Sequence, residues 1–241
     1  MKCPRLYYLT RRYKLKWNYC GDALKIGSYV DSKLTGKAEY VQEDELWFMK
    51  AQSMVKAFKG LVDFDSSAYI PQCEFIVDMG EFNIKGFKDF QSADKSHFIE
   101  LKCSSRPNYY LNPYWTEEQL GMYFLSDENL EYCLVWVIRI PEMRLAYDED
   151  PHAYRMRCYK DMFNRPSYYF NGYKNRWFGI KYDRSEFDLE GLREKLTWVY
   201  GQIKECEKAG YWYQNRANCL SPYQCDMLKI CDSGGVSPTL Y

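Results

Sequence analysis

Ile84-Lys85-Gly86-Phe87-Lys88-Asp89, followed eleven residues after its aspartate by Glu100-Leu101-Lys102, is the stretch on which the fold turns. Residues 82–90 and 96–103 read as strands, and residues 73–79 as a strand before them, with Gly80-Glu81 as the turn between. Residues two apart on a strand share a face, so Glu100 and Lys102 emerge side by side. A strand ending at Asp89 sets a second carboxylate next to Glu100. Two carboxylates at a sheet edge make a hard oxygen site suited to Mg²⁺ or Mn²⁺. Such a metal lowers the pKa of bound water and polarises a phosphodiester. The neighbouring ammonium orients the water or stabilises charge building on phosphate. Taken alone, E-x-K is also the pattern of a solvated pair on an exposed strand.

Outward from this stretch, the periods change. Residues 20–34 read as a helix, and so do residues 43–59, with Trp47, Ala51, Met54, Val55 and Phe58 at helical spacing and Gly60 as the stop. After Pro113, Thr116 and Gln119 stand at capping-box spacing and mark another helix start. Residues 130–140 form a long apolar strand ended by Pro141. Residues 151–186 are aromatic and basic without a clear period. Residues 188–209 are an amphipathic helix with Leu192, Leu196, Val199, Ile203 and Cys206 on one face and Gly210 as its cap. The expected class is α/β, with a central mixed sheet flanked by helices. Gln119 and Tyr123, four apart, share a helical face, and Gly121 between them permits close approach.

At 241 residues the chain is long enough to bury a sizeable core, and 46% hydrophobic against 27% charged residues excludes a disordered protein. The longest strongly apolar run, residues 133–138, falls far below the roughly 20 that a membrane span needs. No apolar secretory segment follows the basic N-terminus, so a cytoplasmic location is expected. The 33 basic and 33 acidic side chains cancel, so nucleic-acid binding must rest on a local patch. Residues 1–17 supply one: Lys2, Arg5, Arg11, Arg12, Lys14 and Lys16 without an acid, interleaved with Tyr7, Tyr8, Tyr13 and Trp17. The acids gather elsewhere, at 43–45 and 148–150. Aromatic residues reach 18%, and aromatic rings stack unpaired bases. His97 and His152 have no Ser or Cys context for nucleophilic catalysis and read as structural or surface residues. Gly36-Lys37 is followed by Ala38, which excludes a phosphate loop and an ATP-driven helicase.

Ten cysteines without a signal peptide do not indicate a disulfide framework. Cys20, Cys73, Cys103, Cys133, Cys158 and Cys206 lie in apolar or periodic surroundings and read as small core residues. Cys219, Cys225 and Cys231 form an even C-x5-C-x5-C series among polar and turn residues, part of a metal site with one ligand still to be found. Soft thiolates also hold zinc, and spacing alone does not exclude a Cys₄ zinc site.

In order along the chain, G-x-x-D (Gly86 to Asp89), E-x-K (Glu100 to Lys102) and Q-x-x-x-Y (Gln119 to Tyr123) resemble the core of the PD-(D/E)XK nuclease superfamily, in its RecB-like branch. Gly27-Ser28-Tyr29-Val30-Asp31 resembles the first motif of that branch, with Asp31 in place of the usual histidine. Cys3-Pro4-Arg5-Leu6-Tyr7-Tyr8 resembles the C-P-R-x-x-Y segment of its iron–sulfur members, the exonucleases of CRISPR adaptation and the AddB nuclease domain. Relatives carry a short helix before this cysteine; here two residues precede it.

The resemblance spans Cys3 to Cys231 and implies one restriction-endonuclease-like domain over 1–241. Its nuclease core would occupy about 20–140, and a cysteine-rich part at about 187–235 would pack with the N-terminus. It implies a metal-dependent DNA exonuclease acting on single strands or ends in recombination, repair or CRISPR adaptation, alone or beside a helicase or adaptation complex. Asp31, Asp89, Glu100 and the Leu101 carbonyl would hold Mg²⁺ or Mn²⁺, with Lys102, Gln119 and Tyr123 completing the catalytic set. Cys3, Cys219, Cys225 and Cys231 would hold a [4Fe–4S] cluster as a clamp between the chain ends, and Arg5, Arg11, Arg12 and Lys14 would contact DNA. Two other readings are a catalytically inactive subunit that binds single-stranded DNA and a zinc-stabilised interaction protein.

Overall fold

Six consecutive side chains, Cys133 to Ile138, are buried to 3% exposure or less, because the strand that carries them is covered on both faces. In the computed structural model, residues 3–15, 21–36, 45–174, 179–220 and 224–233 are described. Lys2, Lys16, Trp17, Cys20 and positions 43 and 44 of the acidic run lie outside them. The chain divides into two compact units, one formed by Gly21–Leu192 and the other by Met1–Cys20 with Arg193–Tyr241.

The second of these begins with α1 (Pro4–Tyr7), continued by a π-helical turn over Tyr8–Arg12. In the larger unit, α2 (Asp22–Thr35) ends at Gly36, whose φ of 74° suits glycine. Next comes α3 (Leu46–Leu61), followed by the strands β1 (Tyr69–Asp78), β2 (Asn83–Ser92) and β3 (His97–Ser104). Then follow α4 (Pro113–Leu125), β4 (Tyr132–Arg139), α5 (Pro151–Asn164), the short α6 (Pro166–Tyr169) and β5 (Ile180–Asp183). α7 (Leu189–Ala209) and α8 (Leu228–Ser233) follow. Among the described residues no helix is long and apolar enough to cross a membrane.

The sheet is five-stranded and mixed, in the order β1-β2-β3-β4-β5, with β3 and β4 parallel and every other pair antiparallel. Strand alternation sends Leu134, Trp136 and Ile138 to one core with Ile99, Leu101 and the apolar sides of α2 and α3. Cys133, Val135 and Val137 go to a second core with Phe98, Leu120, Tyr123 and Phe124. The class expected from sequence, α/β with a mixed sheet flanked by helices, is thus observed.

Some boundaries differ from the expectation. Helix α4 starts at Pro113, not near Thr116, since the fixed φ of proline suits the first helical position. Gly60 does not stop α3. The helix runs through Leu61, and a side chain at 60 would meet Phe163 and Tyr159 of α5, 3.8 and 3.9 Å away. The aperiodic 151–186 region supplies α5, capped by the Asp150 carboxylate accepting from the Ala153 N–H at 3.0 Å, and the edge strand β5. Of the cysteines read as core, Cys133, Cys158 and Cys206 are buried, whereas Cys73 and Cys103 are half-buried.

Candidate functional site

The β2–β3 ladder is short. Only Phe90↔Ile99 and Gln91↔Phe98 pair, and beyond them β2 continues with β1 alone. Where the strands part, Asp89 Oδ2 accepts the Leu101 N–H at 2.7 Å, so a carboxylate takes a donor that a neighbouring strand would otherwise use. This anchors Asp89 next to Glu100.

Glu100 and Lys102 lie on the same sheet face, as their spacing requires, and the Lys102 ammonium donates to Glu100 Oε1. From α4, Gln119 closes the group: its amide N–H donates to Glu100 Oε1 at 2.8 Å and to the Tyr123 hydroxyl at 2.6 Å, and its Oε1 accepts from Lys102 at 3.1 Å. A single amide thus fixes an acid, an ammonium and a phenol at once. The Glu100 side chain is 2% exposed, and its second oxygen, Oε2, is buried without a hydrogen-bond partner among the described residues. Such an orphaned buried acceptor is costly unless a further group meets it.

The electrostatics follow from this crowding. Burial first, then the charge of Glu100 and more weakly that of Asp31, pushes the Asp89 carboxyl up to about 8. Burial opposes the charge on Lys102, but the Glu100 carboxylate outweighs it and raises the lysine pKa, so the side chain stays an ammonium. Burial, reinforced by Glu100, also pushes the Tyr123 hydroxyl up and keeps it protonated. Burial, aided by Asp31 and Asp89, raises Cys103 to about 12. Asp31, on α2, therefore stands near both Asp89 and Cys103. Its carboxylate accepts from the Gln72 amide at 3.2 and 3.4 Å.

The motif glycines have packing reasons. A Cβ on Gly86 would fall 2.6 Å from the Phe75 ring, and one on Gly121 would fall 2.5 Å from Leu192. Phe75 lies over Gly86 and packs edge-to-face on Tyr123, with centroids 5.1 Å apart, backing the Gln119–Tyr123 bond. Lys88 escaped the sequence reading. It is 2% exposed, donates to Gln91 Oε1 at 2.8 Å, and its pKa is lowered by burial. The exposed Phe87 before it and the half-buried Asp89 after it gave no sign that a lysine points inward.

In the other unit, the four cysteines gather. The Asn215 N–H donates to Cys3 Sγ at 3.4 Å, and the Cys225 N–H to the Cys219 carbonyl at 2.8 Å. Burial raises the Cys225 and Cys231 thiols, and both feel the charges of Cys3 and Cys219. Arg5 and Lys14 extend from the same N-terminal segment, as do the exposed Arg11 and Arg12. Arg12 is paired with Glu207. His97 is held by Tyr69 and Ser96 and stacks on Tyr132, while His152 contacts Arg155.

Among the described residues, no three His, Cys, Asp or Glu side chains stand at metal-ligand spacing. The oxygen donors nonetheless suit a hard divalent cation, because a cation meets the orphaned Glu100 Oε2 and offsets the burial and the Glu100 repulsion that hold a proton on Asp89. Thiols are the donor type for a soft ion, and Cys3 and Cys219 act electrostatically on both Cys225 and Cys231. No known protein-family model matches the chain, and no curated protein matches it either.

Proposed function

We propose that the protein is a metal-dependent deoxyribonuclease of the PD-(D/E)XK type, hydrolysing phosphodiester bonds at single strands or DNA ends. One observation carries this reading: Glu100, Lys102, Gln119 and Tyr123 form one hydrogen-bonded group beside Asp89, with a buried carboxylate oxygen left unmatched. A lone solvated Glu–Lys pair has no such enclosure. Asp89, Glu100 and the Leu101 carbonyl would hold Mg²⁺ or Mn²⁺, with Asp31 completing the set. When bound there, the ion supplies Lewis acidity toward a phosphoryl oxygen and acidifies water.

The protein's own groups supply the rest. Lys102 remains an ammonium, so its part is to stabilise charge gathering on the phosphate, not to remove a proton. Gln119 fixes the ammonium and Glu100 together, so neither reorganises as charge develops. The Tyr123 hydroxyl, kept protonated, accepts from Gln119 and holds that amide in its orientation. Cys3, Cys219, Cys225 and Cys231 would hold a [4Fe–4S] cluster that ties together the unit built from the chain ends.

Labelled single-stranded and duplex DNA, incubated with Mn²⁺ or with chelator, tests the proposal. Cleavage is expected only with metal, and Lys102→Ala or Glu100→Ala should abolish it while leaving folding and DNA affinity largely intact. A Lys102→Ala protein with full metal-dependent activity would remove the mechanism. Binding without cleavage by the parent would favour a DNA-binding subunit instead.

A further inference from the structure

The zero net charge conceals a division. Met1–Cys20 with Arg193–Tyr241 carries 12 Lys and Arg against 5 Asp and Glu, whereas Gly21–Leu192 carries 21 against 28. The smaller unit is therefore strongly basic, and a polyanion is the ligand that its field draws.

Within it, Trp212 is 8% exposed and stacks on Tyr8 and Tyr7, with centroids 5.1 and 5.7 Å apart. The residues on either side, Tyr211 and Tyr213, point outward, 68% and 44% exposed. Exposed, buried, exposed over three residues is the alternation of extended chain. With Arg5 and Tyr8, these two tyrosines line a groove of about 400 Å³. Among the described residues Arg5 is its only charged lining residue, with the guanidinium 5.4 Å from the Tyr8 ring centre, and no described carboxylate lines it. The Arg5 backbone N–H donates to the Tyr213 carbonyl at 3.1 Å, which fixes the arginine beside the tyrosine pair.

Residues two apart on extended chain are separated by about 6.6 Å. Stacked bases repeat at about 3.4 Å, so a base held between two rings needs about twice that. The 211–213 spacing therefore suits one flat base between the two tyrosines.

We propose that this groove is a subsite for an unpaired nucleobase of single-stranded DNA, stacked by Tyr211 and Tyr213, with Arg5 on the adjacent phosphate. The proposal rests on the nucleic-acid reading above and names where and how the strand is held. Its test needs no cleavage.

Affinity for fluorescein-labelled dT12, and for an abasic 12-mer of the same charge, is read by anisotropy in EDTA across a salt series. Tyr211→Ala/Tyr213→Ala should weaken dT12 binding about tenfold, or about 1.4 kcal/mol, without changing the salt slope or the abasic affinity. Tyr211→Phe/Tyr213→Phe keeps the ring faces and should bind like the parent. Arg5→Gln should flatten the salt slope by about 0.7. Circular dichroism and melting temperature check that each variant is folded. Overturning results are dT12 binding by the alanine pair at parental strength, equal losses on dT12 and abasic strand, a phenylalanine pair as weak as the alanine pair, or no dT12 binding by the parent. Failure of the nuclease reading appears separately, as absence of Mn²⁺-dependent cleavage, and leaves this binding result standing.

Discussion

Substituting Gly86 by alanine should loosen the site without touching any of its polar groups. Gly86 pairs with Phe75 across β1 and β2, and a Cβ there would lie 2.6 and 2.8 Å from two ring carbons. Ordinary carbon contacts are about 3.5–4.0 Å, so the ring must move by about 1 Å. Phe75 is only 7% exposed and its other edge rests on Tyr123, so it has no open space to move into. Overpacking of this kind costs about 1–3 kcal/mol. Gly86 is not at positive φ, so alanine also gains about 0.4–1 kcal/mol by restricting the unfolded chain. A net loss of about 1–2 kcal/mol follows, or about 2–8 °C in melting temperature at the usual 2–4 °C per kcal/mol for a domain this size. Thermal and urea unfolding of the parent, Gly86→Ala, Phe75→Leu and the double variant form a cycle. The smaller leucine makes room for the added methyl, so the double variant should be more stable than additivity gives. A Gly86→Ala melting temperature within 1 °C of the parent, or strict additivity, would refute the packing argument.

Two further predictions concern protons and sulfur. The native state holds the Asp89 proton more tightly than the unfolded chain does, so stability present below about pH 4 is lost as the pH rises toward 8, by at most about 1.4 kcal/mol per pH unit. Asp89→Asn should remove that slope in melts run without divalent ions between pH 5 and 8.5, and equal slopes in both proteins would contradict the assignment. Anaerobically purified protein should be brown with about four irons per chain. Cys3→Ala, Cys219→Ala, Cys225→Ala or Cys231→Ala should each bleach and destabilise it, while Cys133→Ala should leave the colour; stoichiometric zinc without iron would replace the cluster by a structural zinc.

The helices α3 and α7 were legible through their apolar period, and β4 through an unbroken apolar run covered on both faces. Glu100 and Lys102 were placed on one face by strand alternation. The 151–186 stretch hid α5 and β5 because its aromatic rings point in several directions, although Asp150-Pro151 already carried a helix-start signal. Lys88 was illegible for a different reason. Its inward course depends on Gln91 and on the Phe75 ring, 5.8 Å from its ammonium, and both are set by hairpin register, not by local pattern. The reason for Gly86 lay equally out of reach, since a glycine in a strand does not reveal which ring will cross it. Gln119 read both as the partner of a capping threonine and, with Tyr123 on one helical face, as a neighbour of Lys102; what the sequence did not give is that its one amide serves Glu100, Lys102 and Tyr123 together.

The unit that carries the cysteines and the tyrosine groove joins residue 5 to residue 213 and residue 3 to residue 215. On a ribosome adding about 5–20 residues per second, its first strand of chain waits about 10–40 s for the partner that completes it. Gly21–Leu192 is fully synthesised in that interval and has all of its own contacts within reach. A product that stops short of residue 213 therefore carries the basic, tyrosine-rich segment around Arg5 without the carbonyl and the amide that it meets here.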